Sequence, residues 1–188
     1  MKIRPATIND SPLIGYAITL AIGDDITANL AGDHHSTDEV ADLFASLARR
    51  TDTQYSYLNT LVAVDDNDEV MGVAIAYDGA LLHHLREQFI AAAEQKLDLV
   101  FEGELIDETD AEEFYLDTLA VFPEYRRQGI AGRLIKATAE RAVQVGKPLG
   151  LLVDKDNERA RRLYESSGFS YVGDRPFAGE MMDHLIMR

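Results

Sequence analysis

Two short stretches of this chain hold residue types at spacings that chemistry can use. The first, Leu119-Ala-Val-Phe-Pro-Glu-Tyr-Arg-Arg-Gln-Gly-Ile-Ala-Gly-Arg-Leu134, reads as a strand, a tight glycine-bearing turn and the opening of a helix. Small residues at Gly129, Ala131 and Gly132 let a ligand approach the main chain, and free N–H groups at a helix start attract phosphate oxygens. The amides of residues 127 to 132 are thus a candidate cradle for a pyrophosphate, aided by the positive end of the helix dipole. An ordinary strand-to-helix turn has the same letters, so this motif alone leaves both readings open. The second stretch, Asn157-Glu-Arg-Ala-Arg-Arg-Leu-Tyr-Glu-Ser-Ser-Gly-Phe169, suits an N-cap at Asn157 and puts Ala160, Leu163 and Tyr164 on one helix face. Taken alone, Asn157 is a plain cap and Tyr164 an aromatic core residue.

The rest of the chain must position these residues. Its 188 residues suffice for one domain with a sizeable core, and 46% apolar content fits an ordinary globular protein. Without cysteine there is no disulfide framework and no thiolate metal site. No apolar run reaches membrane-spanning length, and Pro5, Asn9 and Asp10 interrupt any leader-like start, so a cytoplasmic protein with no membrane partner is expected. A net charge of −15 disfavours nucleic acid as a partner. The segment from Pro123 to Arg162 nevertheless carries +5, leaving −20 elsewhere. A basic island coinciding with the glycine turn suggests one anionic ligand held there, against the plainer alternative of an acidic, solubilising surface.

Periodicity predicts a strand over 2–6, a helix from Asp10 or Ser11, a loop or broken helix over 23–35, and a helix capped by Ser36 or Thr37. A hairpin follows, with strands over 57–64 and 69–77, then a helix over 80–99 with Leu81, Leu82, Leu85, Phe89 and Ala92 facing inward. Further elements are a strand over 113–121, a helix over 130–145, a buried strand over 149–153, a helix over 157–167, and strands over 169–172 and 184–188. This order points to one α/β domain around a mixed sheet.

With both motifs in order and a strand between them, the sequence closely resembles the GNAT superfamily of acetyl-CoA-dependent N-acetyltransferases. Arg126, Gly129 and Ala131 meet that family's phosphate-loop signature; Asn157, Ala160, Leu163, Tyr164, Gly168 and Phe169 meet its second. The resemblance implies a mostly antiparallel sheet with two central parallel strands splayed apart and flanked by helices, as a single domain over 1–188. The stretch at about 79–112 exceeds the family pattern and is expected to be a helical, acidic insertion. Acetyl-CoA is the implied acyl donor, with no metal. Its pyrophosphate would lie on Arg127, Gln128, Gly129, Ile130, Ala131 and Gly132, beside Arg126. Its pantetheine arm would pair with Leu119, Ala120 and Val121, where a backbone N–H near Leu119 polarises the thioester carbonyl. Asn157 would bond the pantetheine, and Tyr164 would serve the departing thiolate.

Such transfer needs a neutral amine, which is about one part in a thousand of an alkylammonium at pH 7. A base removes that limit, and strand alternation puts Tyr115, Asp117, Leu119 and Val121 on one face. The family often draws its base from this strand, so Asp117 is the candidate; the alternative is a carboxylate that only orients the acceptor's ammonium. Tyr115, Asp117 and Tyr77 are the candidate acceptor contacts. Nine acidic residues between Asp98 and Asp117, with no basic one, form either a negative wall for a cationic acceptor or a solvated face. The adjacent pairs His34-His35 and His83-His84 diverge and suggest no metal site. The expected activity is direct acetyl transfer to a primary amine, small molecules or polyamines before proteins. A non-catalytic acyl-CoA sensor is the alternative. Family resemblance also admits a homodimer.

Overall fold

The computed structural model describes residues 1–101, 103 and 105–188; Glu102 and Glu104 of the acidic run lie outside the described residues. Seven strands form one sheet: β1 (Lys2–Pro5), β2 (Thr60–Val64), β3 (Val70–Asp78), β4 (Phe114–Val121), β5 (Leu149–Asp154), β6 (Ser170–Phe177) and β7 (Glu180–Met187). Their order is β1-β2-β3-β4-β5-β7-β6, antiparallel throughout except for the central β4–β5 pair. Helices α1 (Ser11–Ala31), α2 (Thr37–Ala48) and α3 (Leu82–Leu97) precede β4, and α4 (Ile130–Gln144) and α5 (Glu158–Ser166) follow it. This is the expected mixed sheet, with the parallel pair at its centre.

Two apolar clusters sandwich the sheet. Ile14, Ile18, Leu43, Phe44 and Leu47 of α1 and α2 cover Val62, Val73 and Ile75 on one face. Ile130, Leu134 and Ile135 of α4 cover Ala74, Leu116 and Leu151 on the other. Strand alternation delivers both sets from the same strands. Ser36 caps α2 through a reciprocal pair with Glu39, satisfying otherwise orphaned amides. The segment over 23–35 is mostly helical: α1 runs to Ala31 and breaks at Gly23, where φ is 84°.

Helices α1 and α2 pack closely because Gly15 has no side chain. A Cβ there would lie 2.5 Å from the Ala41 carbonyl oxygen and 2.7 Å from the Ala45 nitrogen. Both atoms belong to the backbone and cannot swing aside. Gly15→Val is therefore expected to destabilise the fold by about 2–3 kcal/mol, read as a lowered urea midpoint; an unchanged midpoint would refute this packing.

Two expectations need correction. The helix expected over 80–99 is α3 preceded by a 3-10 turn at Gly79–Leu81, and Leu81 is exposed rather than inward-facing. Strands β6 and β7 are longer than the apolar runs suggested. β6 is an edge strand, largely exposed, so its pairing with β7 leaves little hydrophobic pattern to read.

Candidate functional site

The site begins with an irregularity in β4. Its register against β3 shifts between Ile75 and Ala76, whose partners are Thr118 and Leu116, leaving Asp117 as the extra residue of a bulge. The hydrogen bonds report the same event. Phe114 N–H donates to the Pro148 carbonyl beside β5, whereas Phe122 N–H donates to the Met71 carbonyl beside β3. An uninterrupted strand would point these two even-numbered amides the same way. After the bulge, the N–H groups of Leu119 and Val121 therefore face β5.

β5 is not there to receive them. The parallel pair registers only at Phe114–Leu149 and Tyr115–Gly150, and the two strands then diverge. The bulge also overturns the expected shared face. Leu119 and Val121 pack with Leu116 and Phe114 on the α4 side, while Tyr115 packs with Tyr77 and Leu85 on the opposite side. One inserted residue moved the later side chains across the sheet.

Beyond β4 the chain makes a 3-10 turn at Pro123–Tyr125 and enters α4 through Arg127 (φ 64°) and Gly129 (φ 76°), both left-handed. Among the described residues, the amides of 127 to 132 donate to no protein acceptor. A Cβ on Gly129 or Gly132 would meet no protein atom within 4 Å, so these glycines leave space that the protein itself does not fill. A row of free amides, a helix start and empty space beside it suit an anionic diphosphate. The Arg126 guanidinium folds back, its Nε donating to the Val121 carbonyl at 3.1 Å.

Loop and strand gap open into one cleft of about 490 Å³. Leu119, Ala120, Val121, Arg126, Arg127, Gly129, Ile130, Ala131 and Gly132 line it, with Asn157, Leu163 and Tyr164 of the α5 region opposite and Leu20 and Ala21 of α1 at one side. Exposed Gln128 lies outside that lining. Asn157 does cap α5, its Oδ1 accepting from Ala160 N–H at 3.1 Å. Tyr164 is half-buried with its ring edge-on to Phe169 at 5.7 Å. Burial pushes its phenol up to about 12, which keeps it protonated.

Asp117 is half-buried and is not among the residues lining that cleft; Glu108, from the segment that follows α3, and Gln54 are its neighbours. Burial pushes its carboxyl up to about 7, and the neighbouring Glu108 charge adds to the effect; the hydroxyl of Thr118, at 2.8 Å from Oδ1, and the Gln54 amide act in the opposite sense. Glu108 is 3% exposed, accepts from the Tyr77 hydroxyl at 3.0 Å and pairs with Arg86 of α3. Tyr77 and Tyr115 are buried edge-on to each other at 5.8 Å. With Tyr55 they surround the carboxylate pair, and burial raises all three phenols, so each stays neutral.

Among the described residues, the acidic run does not stand as a continuous wall. Asp98 meets His35, Asp107 meets His83 and Arg86, and Asp110 meets Arg175. Glu113, 4% exposed, pairs with buried His184 of β7 at 3.0 Å. Gln54, Arg86, Glu108 and the Glu113–His184 pair were not singled out from the sequence. Only Arg86 carried a signal, as a cation on an otherwise apolar helix face.

The comparisons with known proteins agree with this geometry. The model of the acetyltransferase (GNAT) family matches residues 24–169. A crystal structure of an acetyltransferase is 31% identical over all of this chain and 98% of its own, with TM-score 0.81. An N-acetyltransferase from Staphylococcus aureus Mu50 is 26% identical over the full length of both chains, with TM-score 0.79. A histone acetyltransferase HPA2 and related acetyltransferase from Corynebacterium glutamicum shares the fold at 20% identity, 98% and 94% coverage and TM-score 0.67. No curated protein matches the chain. The chain belongs to the GNAT family and is an acyltransferase that uses acetyl-CoA.

Proposed function

We propose that this enzyme moves the acetyl group of acetyl-CoA directly to the primary amine of a small cationic molecule, with polyamines in the same class. One observation carries the acceptor side: Asp117, a carboxylate poised near neutrality, stands at the bulge two residues before an amide that faces the strand gap. The nearly complete burial of Glu108, Tyr77 and Tyr115 around Asp117 favours a small acceptor over a protein segment. Helix α3 is fastened over this side by Phe89 against Phe44 and Tyr55, and by Lys96 to the Ser46 hydroxyl.

Acetyl-CoA, when bound, supplies an acyl thioester. The amides of 127 to 132 hold its diphosphate, Leu119 and Val121 pair with the pantetheine arm, and Asn157 offers its free amide hydrogens to the same arm. The Leu119 N–H donates to the acyl oxygen, where negative charge grows. Asp117 takes a proton from the acceptor's ammonium, and the freed nitrogen bonds to the acyl carbon as the carbon–sulfur bond breaks. The sulfur takes the Tyr164 proton, and the phenol recovers one from the acylated nitrogen. Tyr77 and Tyr115 flank the ammonium with neutral rings. Among the described residues no helix is long and apolar enough to cross a membrane, and the lack of cysteine suits a cytoplasmic setting.

The test is free-thiol release from acetyl-CoA across amines, polyamines, amino acids and peptides. Turnover confined to primary amines supports the proposal; acetyl-CoA binding without thioester consumption by any amine overturns it in favour of a sensor. Tyr164→Phe separates the leaving-group role from binding. We expect kcat to fall about tenfold to a hundredfold while the acetyl-CoA Kd stays put. An unchanged kcat removes Tyr164 from proton delivery.

A further inference from the structure

Gln54 stands just ahead of β2, in a segment that bonds to itself. Asn59 Nδ2 donates to the Thr53 and Gln54 carbonyls at 3.1 Å each, and Thr53 Oγ1 donates to the Leu47 carbonyl at 3.1 Å. The Ser56 hydroxyl closes the segment onto Arg50. Gln54 is held inside by these bonds and is 4% exposed. Its carboxamide neighbours the Asp117 carboxylate and the Tyr55 hydroxyl, holding both groups down against burial. Its Oε1 has no partner, and among the described residues it is the one buried side-chain polar atom so left.

A buried carbonyl oxygen without a donor is unfavourable, and the pinned segment denies it a swing out to water. In one carboxamide, oxygen and nitrogen are separated by a single carbon. Because this carboxamide neighbours Asp117, a ligand nitrogen that pairs with the carboxylate comes up against the same carboxamide. Resting on the acetyl-transfer reading above, we propose that Gln54 Oε1 accepts a hydrogen bond from the acceptor's amino group and selects primary amines over N-methylated ones. The neutral nucleophile has its lone pair on the acyl carbon and two N directions left, one toward Asp117 and one toward Oε1. A primary amine fills both with N–H. An N-methyl amine must put its methyl on one of them and leave a buried acceptor unpaired.

The experiment compares butylamine with N-methylbutylamine in the thiol-release assay. Wild-type enzyme is expected to prefer the primary amine by about a hundredfold in kcat/KM. Gln54→Met keeps the side-chain length and removes the oxygen. It should raise the butylamine KM about tenfold and shrink the preference to a few-fold, with the acetyl-CoA Kd by calorimetry unchanged. A preference and KM that stay at wild-type values overturn the assignment while leaving acetyl transfer intact. Wild-type enzyme that consumes no thioester with these two amines or with any other amine of the panel overturns both. Should Gln54→Met fail to fold, Gln54→Leu removes the same oxygen without adding charge and must lose the preference; a preference retained there also refutes the role.

Discussion

Asp117→Asn should abolish the rise in kcat/KM centred near pH 7 and lower the plateau above it by about a hundredfold or more. The sign follows from the carboxyl, pushed up to about 7 by burial and by Glu108. Activity needs the carboxylate, so the wild-type rate climbs as pH rises through that value; asparagine accepts no proton and gives no such limb. Stability should move the other way. Between about pH 4 and 7 the native state holds a proton that the unfolded chain has lost, so Asp117 weakens the fold progressively as pH rises through that window. The charged native state is disfavoured by roughly 2 kcal/mol once partial exposure is allowed for. Asp117→Asn should therefore melt higher than wild type at pH 8 and nearly level with it at pH 4. A pH–rate profile with its limb intact would clear Asp117 of base duty. Equal melting at pH 8 would show that its carboxylate is not held at a disadvantage.

A carboxylate that weakens the fold above neutral pH fits the base role proposed for Asp117. Its neighbours share the pattern. Glu108 sits buried between Arg86 and the Tyr77 hydroxyl, so the segment following α3 brings a second negative charge beside Asp117 and balances it from α3. The segment following α3 thus packs against Asp117 through Glu108. The cationic acceptor proposed above would meet two carboxylates there, one of them already paired, and three neutral phenols.

The parts legible in the sequence are those built from local rules. Glycine at a left-handed turn, a cap before a helix and apolar alternation each leave a mark within a few residues, so the glycine turn ahead of α4 and the order of elements could be read. The bulge at Asp117 leaves no such mark. Phe114 to Val121 looks like a regular strand, and only pairing with β3 shows that one residue is supernumerary. That is why the predicted face of Tyr115, Asp117, Leu119 and Val121 splits in two. Gln54 was invisible for a similar reason: it is an ordinary polar residue in a loop until the fold buries it beside Asp117 of β4. The acidic run misled because charge counts say nothing of partners. Glu108 and Glu113 are more than nine-tenths buried, each with a cation or imidazole from elsewhere in the chain.

The phosphate loop offers the sharpest test of the donor side. Gly129 sits at φ 76°, and a Cβ there would meet no protein atom within 4 Å. Two causes could keep glycine in this position: the backbone angle, and the room needed for a diphosphate. Gly129→Val violates both, since a β-branched residue strongly resists positive φ. Its acetyl-CoA affinity should fall about a hundredfold or more, near 2.7 kcal/mol, with a loss of stability of about 1–2 kcal/mol. Gly129→Asn separates the causes, because asparagine tolerates the left-handed region. It should keep most of the stability yet still bind acetyl-CoA about tenfold more weakly, its side chain standing where the phosphates lie. If Gly129→Asn binds like wild type while Gly129→Val does not, the glycine serves the turn alone. If both bind like wild type in calorimetry, the amides of 127 to 132 do not hold the cofactor, and the donor side of this site lies elsewhere.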